Sequence, residues 1–333
     1  MLEQWGLDLP RIILSVTGGA KSFDLPPLLD EMLRTGLSRA VRSNSVWIIT
    51  GGTNSGVMRY VAEAAAQGGS GMSSPVIGVL PWAIVNRRDI MDRARGGDVY
   101  YGDPDRQQPA HLSLDQHHTH FVMVDDGRVG KFQGEIEVRS KLESALAKKF
   151  SQGEFGTPSP ITSITIAIQG GPGTLKTCLS SLQQGHPLLV VQGSGMAADV
   201  IAYAYMVESN GADYTHEGLQ RLIMNEFYFS RSDPKFQDIL SLAEQCAAYH
   251  DLIYVYKVDF FGSGTQSFDV AILDCVLEHD RRRAISSDTA HWLSSMEGMS
   301  PGEWAKERKS RIDFDRVRKL ELSLLWNRID VAR

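Results

Sequence analysis

Short apolar runs, each stopped by a glycine turn and followed by helix-compatible sequence, recur four times along the chain. RIILSV (11–16) leads into Thr17, Gly18 and Gly19, and VWII (46–49) leads into Thr50, Gly51 and Gly52. ITIAI (164–168) leads into Gln169, Gly170 and Gly171, and LLVV (188–191) into Gln192, Gly193, Ser194 and Gly195. The runs are continuous, not alternating, and rich in β-branched residues. That is the pattern of strands covered on both faces in a parallel sheet. PVIGVL (75–80), FVMV (121–124) and LIYVYK (252–257) extend the set of expected strands.

The segments after the turns have the caps and spacing of helices. Thr53, Asn54 and Ser55 are cap-forming residues, after which Val57, Met58, Val61, Ala62 and Ala65 fall at helical spacing. MAADVIAYAY (196–205) reads as an apolar helix, and 136–150 as another. Strand alternating with helix over the first 262 residues predicts a doubly wound, mostly parallel Rossmann-like α/β domain. Residues 263–333 have no glycine turns; 268–278, 289–293 and 314–331 read as helices of a packing or assembly extension. Stretches 67–74, 96–110 and 151–160 read as surface loops.

In such a sheet the turns after parallel strands collect along one edge, where ligands bind. Glycine lets the backbone approach a ligand closely, and exposed N–H groups at helix starts bind anions without formal charge. Four glycine turns on one edge predict a phosphate cradle. Local donors are needed for it, because the chain carries a net charge of -6 and has no basic footprint for nucleic acid. The three cysteines, Cys178, Cys246 and Cys275, lack CxxC spacing and are expected as buried thiols. No run of 18 apolar residues is present to span a bilayer, and residues 1–10 lack the apolar stretch of an export signal.

SVTGGAKSF (15–23), WIITGGTNSGVM (47–58), HTHFVMVDDG (118–127), GEIEVRSKLE (134–143), QGGPGT (169–174), QGSGMAADVIA (192–202) and LLWNRIDVAR (324–333) together resemble the N-terminal homology region of melastatin-type (TRPM) cation channels. The resemblance covers essentially the whole chain and is greatest to the branch gated by calcium with ADP-ribose. It implies a SLOG nucleotide-binding fold followed by helices, on the cytoplasmic side of a homotetrameric, calcium-permeable plasma-membrane channel. The partners it implies are the rest of that channel, its neighbouring subunits and a nucleotide ligand.

Carried over motif by motif, the cleft comprises Thr17, Gly18, Gly19, Gly51, Gly52, Thr53, Asn54, Gly170, Gly171, Gly173, Thr174, Gly193, Ser194, Gly195 and Met196. Arg139 matches a family arginine that holds ligand; its planar fork suits a phosphate or a base. On this reading Arg139→Ala weakens binding while leaving the melting temperature little changed. Phe132 falls where the ADP-ribose branch carries a tyrosine, keeping the ring and losing the hydroxyl. Met196 stands where the family commonly has arginine, which removes one cation from the cleft; Lys21, Arg87 and Arg88 are the candidate replacements.

SLOG folds also include hydrolases that release a base from a nucleotide monophosphate, with a GGxGTxxE turn. Here that turn is Gly170, Gly171, Pro172, Gly173, Thr174, Leu175, Lys176, Thr177, with Thr177 in the place of the glutamate. Without a carboxylate the hydrolytic mechanism lacks a necessary part, so a sensor without catalytic cofactor is expected. A hydrolase and a purely structural assembly domain remain as alternatives. His117, His118 and His120 have no partners at metal spacing, and Asp125 and Asp126 before Gly127 read as turn residues.

Overall fold

The computed structural model describes residues 2–20, 25–41, 45–68, 74–102, 112–127, 134–152, 158–209, 211–258, 266–295, 316–320 and 322–323. Strands β1 (Ile12–Gly18), β2 (Val46–Thr50), β3 (Val76–Pro81) and β4 (His120–Val124) come first, followed by a short antiparallel pair, β5 (Phe150–Gln152) and β6 (Pro158–Pro160). Then come β7 (Thr162–Ile168), β8 (Leu188–Gln192) and β9 (Ile253–Lys257). Seven of these form one sheet in the order β4-β3-β2-β1-β7-β8-β9, with every pairing parallel.

Successive side chains of a strand point to opposite faces, and here both faces are covered, which is why the runs are continuously apolar. Ile12, Leu14, Ile48, Ile164, Ile166 and Leu189 face one side, under α2 (Pro27–Ala40), α3 (Gly56–Gly68) and α10 (Phe268–Ser295). Gly36 of α2 is required by close packing, since a Cβ there would lie 2.9 Å from Phe268 of α10. Ile13, Trp47, Ile49, Ile77 and Val79 face the other side with Leu146 of α5 (Gly134–Ala147). On that same side Ala167, Leu188 and Val190 lie under α6 (Pro172–Gln183), α7 (Met196–Glu208), α8 (His216–Phe227) and α9 (Pro234–Ala247).

The doubly wound parallel sheet is as expected, with particular departures. The 268–278 and 289–293 stretches belong to one helix, α10. Part of the expected loop 151–160 is the antiparallel β5–β6 pair, which forms a sheet of its own. Residues 316–320 and 322–323 are helical, while the rest of 314–331 and most of 96–110 lie outside the described residues. α8 and α9 carry clear start signals: Thr215 accepts from Gly218 N, and Asp233 accepts from Lys235 N just before Pro234. All three cysteines are buried thiols, and burial pushes Cys246 up to about 12. No helix among the described residues is long and apolar enough to cross a membrane.

Candidate functional site

From β1 the chain steps outward through β2 and β3 to β4, then returns to the middle and steps the other way through β7 and β8 to β9. The direction reverses between β1 and β7, and the crevice beyond their C-terminal ends is where an open α/β sheet takes ligand. Gly18 pairs with Ile168, and a Cβ on Gly18 would lie 2.2 Å from Ile168 O, so this glycine is demanded by strand approach. Gly19 N donates to Ile168 O at 3.3 Å. Gly170 has φ +97°, and its missing Cβ makes room for the Thr174 side chain, whose Oγ1 donates to Gly18 O at 3.2 Å. α6 therefore starts locked against the β1 turn. Its N-cap, Gly171, offers no side-chain cap, and among the described residues no acceptor meets the N–H groups of Gly173 and Thr174. A Cβ on Gly171 or Gly173 would meet none of the described residues within 4 Å. Rigid backing, free donors and open space coincide at this helix start.

The β2 turn is held differently. Gly52 has φ +70° and lies against the backbone of Gly78 in β3, where a Cβ would come within 2.8 Å of the Gly78 Cα. Gly52 N donates to Thr50 Oγ1 at 2.9 Å, and Thr50 Oγ1 lies 2.6 Å from His118 Nε2, whose Nδ1 lies 3.1 Å from Asp115 Oδ1. Asp115 N returns a bond to Gly52 O, Asn54 N donates to Ser113 O at 2.8 Å, and Thr53 bridges to Leu114. Segment 112–118 thus clamps the turn. Asp115, His118 and Thr50 are connected like a hydrolytic triad, but Thr50 is fully buried, so no substrate reaches its hydroxyl. Thr53 is buried with it, while Asn54 is exposed and Gly51 half-buried. His120 begins β4 against Trp5, and burial lowers its pKa. Gly127 N donates to Asp125 Oδ1, the expected turn.

The β8–α7 turn has its donors already engaged. Gly193 N donates to Asp199 Oδ1 at 2.6 Å, and Met196 N to Glu226 Oε2 at 2.6 Å. Ala197 N and Ala198 N donate to Gly170 O and Gln169 O, while Ser194 Oγ accepts from Gln169 N and donates to Val191 O. Desolvation raises the Asp199 pKa, opposed by the Gly193 and Gly195 amides and reinforced by Glu226. The Met196 side chain packs on the apolar cluster of α6 to α9, with φ +52° at its own backbone. Glu226 lies thirty positions from Met196 on a different helix, and no motif flags it.

The family model "LSDAT_euk: SLOG in TRPM" matches residues 1–246. The chain belongs to the SLOG family of TRPM channels. Among similar curated proteins, the Nematostella vectensis "Transient receptor potential cation channel subfamily M member-like 2" is 32% identical over 357 residues, covering 100% of this chain and 20% of that protein. The Mus musculus subfamily M member 2 is 29% identical over 342 residues, covering 100% of this chain and 21% of its own length. The Rattus norvegicus subfamily M member 7 is 30% identical over 345 residues, covering 100% and 16%. The chain therefore spans at most about a fifth of these relatives. Identities this close across member 2 and member 7 do not single out one branch of the family.

Arg139 of this SLOG domain is buried on α5, beneath the turns of β1 and β2. Its Nε donates to Glu143 Oε1 at 3.0 Å, and its Nη2 to Ser15 Oγ, Val16 O and Ile49 O at 2.8, 3.0 and 2.9 Å. Ser15 Oγ in turn donates to Glu143 Oε1 at 2.5 Å. The guanidinium ties two strands to a helix, and a ligand would have to be reached through the remaining nitrogen, Nη1. Against the expectation that Arg139→Ala spares the melting temperature, these bonds predict a loss of stability, because the substitution would leave Glu143 a buried carboxylate without its cation. Thr177 donates from Oγ1 to Gly173 O at 3.0 Å. Arg87 donates from Nη1 to Gly102 O at 2.9 Å. Phe132 and Lys21 lie outside the described residues.

Proposed function

We propose that this SLOG domain senses a nucleotide, ADP-ribose or a related adenine nucleotide, bound in the β1–β7 crevice, and thereby regulates a calcium-permeable TRPM channel. The observation that carries the proposal is the uncapped start of α6, with Gly171, Gly173 and Thr174 next to the Gly18–Gly19 turn. Backbone donors at a helix start suit phosphates without requiring a formal cation, which fits an acidic chain. The fixed positions of Gly18 and Gly170 support preorganisation, since the backbone need not rearrange on binding. In this reading the domain lies on the cytoplasmic side of a homotetrameric channel of the plasma membrane.

The domain is proposed to bind without catalysing. The residue at the end of the glycine turn is Thr177, whose hydroxyl turns back onto Gly173 O and supplies no carboxylate for water activation or for charge at the sugar. Calorimetry against ADP-ribose, AMP, ATP and cyclic ADP-ribose tests the proposal. Saturable heat from at least one adenine nucleotide is expected. No heat from any of them would leave an assembly role in its place, and release of free base or ribose phosphate would restore the hydrolase.

A further inference from the structure

Two helix starts stand on neighbouring strands, α6 after β7 and α7 after β8, at the same edge of the sheet. Adjacent strands lie roughly 4.8 Å apart, so both starts are within the reach of one diphosphate. Their states are opposite. α6 presents amides that no described group accepts from, whereas at α7 Met196 N is held by Glu226, and Ala197 N and Ala198 N by the carbonyls of the β7–α6 turn. A second carboxylate, Asp199, holds Gly193 N in the same turn.

We propose that Glu226, contributed by α8, is a specificity-determining residue of the cleft: it bars phosphate from the α7 start and confines the ligand's anionic groups to α6. This role rests on the nucleotide reading above. Glu226 is delivered by packing. Leu219, Ile223 and Phe227 of α8 are buried in the cluster shared with α7, and position 226, three residues after Ile223, falls beside that apolar stripe. Its carboxylate completes the N-terminus of α7 as a phosphate oxygen would, so a phosphate can enter only by displacing it. Met196 brings no cation to offset the two acids. What the turn can accept is a group that donates hydrogen bonds, such as ribose hydroxyls or an adenine amine, because ionised carboxylates only accept.

The test compares wild type with Glu226→Gln, which retains an acceptor oxygen and loses the charge, and with Glu226→Ala, by calorimetry against inorganic pyrophosphate, ADP-ribose and adenosine. Pyrophosphate and ADP-ribose are expected to bind both variants more tightly, by about fivefold or more, since a repelling charge is removed from beside the Met196 amide that it occupies. Adenosine, which carries no charge, is expected to gain nothing and to bind Glu226→Ala no better than wild type. If wild type binds ADP-ribose and both variants bind the anions unchanged, the role of Glu226 is overturned while the nucleotide reading stands. If wild type binds no nucleotide but the variants acquire pyrophosphate binding, the barrier is real and the nucleotide reading fails. Absence of binding in all three proteins overturns both.

Discussion

Replacing Arg139 by methionine tests the reading of this residue as a buried structural tie. The guanidinium is about as buried as the core around it, with 7% of its side chain exposed, and it pairs with Glu143 at 3%. Summing its four donated bonds would double count, because they share one desolvated group; the relevant cost is that of breaking a buried ion pair from one side, ~3–5 kcal/mol. At ~2–4 °C per kcal/mol for a domain of this size class, the melting temperature should fall by about 10 °C. Arg139→Met paired with Glu143→Gln removes the stranded charge, so the double variant should lose less than the two single losses combined, by roughly 1–3 kcal/mol. Thermal melts monitored by circular dichroism, with urea titrations of the same four proteins, give both quantities. A fall of under about 2 °C in the single variant, with additive losses in the double, would refute the buried tie and return Arg139 to a purely ligand-facing role.

The same geometry sets other expectations. Gly18→Ala should destabilise by more than about 2 kcal/mol through its contact with Ile168 O, whereas Gly173→Ala should leave stability unchanged or raise it by ~0.4–1 kcal/mol while weakening ADP-ribose; thermal melts beside calorimetry separate the two. Burial, reinforced by Arg283, His186 and Arg282 and opposed by Asp280, lowers His279 to about 4 from 6.5. Above pH 6.5 the ring is neutral folded or unfolded; as pH falls toward 4 only the unfolded chain takes the proton, so up to about 3 kcal/mol of stability is lost in that window. Urea midpoints between pH 7 and 4 should show this loss, and His279→Gln should flatten it. Met196→Arg should place a cation beside Glu226 and strengthen ADP-ribose binding about tenfold, the effect of one charge-assisted bond; a neutral calorimetric result would place the ligand clear of α7.

The sheet was legible because each run is buried on both faces, and continuous apolar sequence ending in Gly-Gly leaves little else for RIILSV or ITIAI to be. The start of α6 was legible for the same reason, since QGGPGT carries both the turn and the helix start. Sequence could not separate glycines kept for the fold from those beside open space. Gly18 and Gly52 are fixed by backbone approach to Ile168 and Gly78, which depends on register between strands distant in sequence. Gly171 and Gly173 have no described neighbour within 4 Å of an added Cβ. Nor could sequence reveal that the β8–α7 donors were spoken for, because Glu226 reaches Met196 only through the packing of α8 on α7. Arg139 was found by its motif, while its buried bonds to Val16 O and Ile49 O are a tertiary fact.

The most direct test of nucleotide binding at the α6 start is an amide chemical-shift titration of the isotope-labelled domain with ADP-ribose. Saturable shifts centred on Gly19, Gly171, Gly173 and Thr174 are expected, with the Gly193 and Met196 amides moving less because Asp199 and Glu226 still hold them. Shifts absent from the α6 start, or centred on a distant surface, would contradict that binding site.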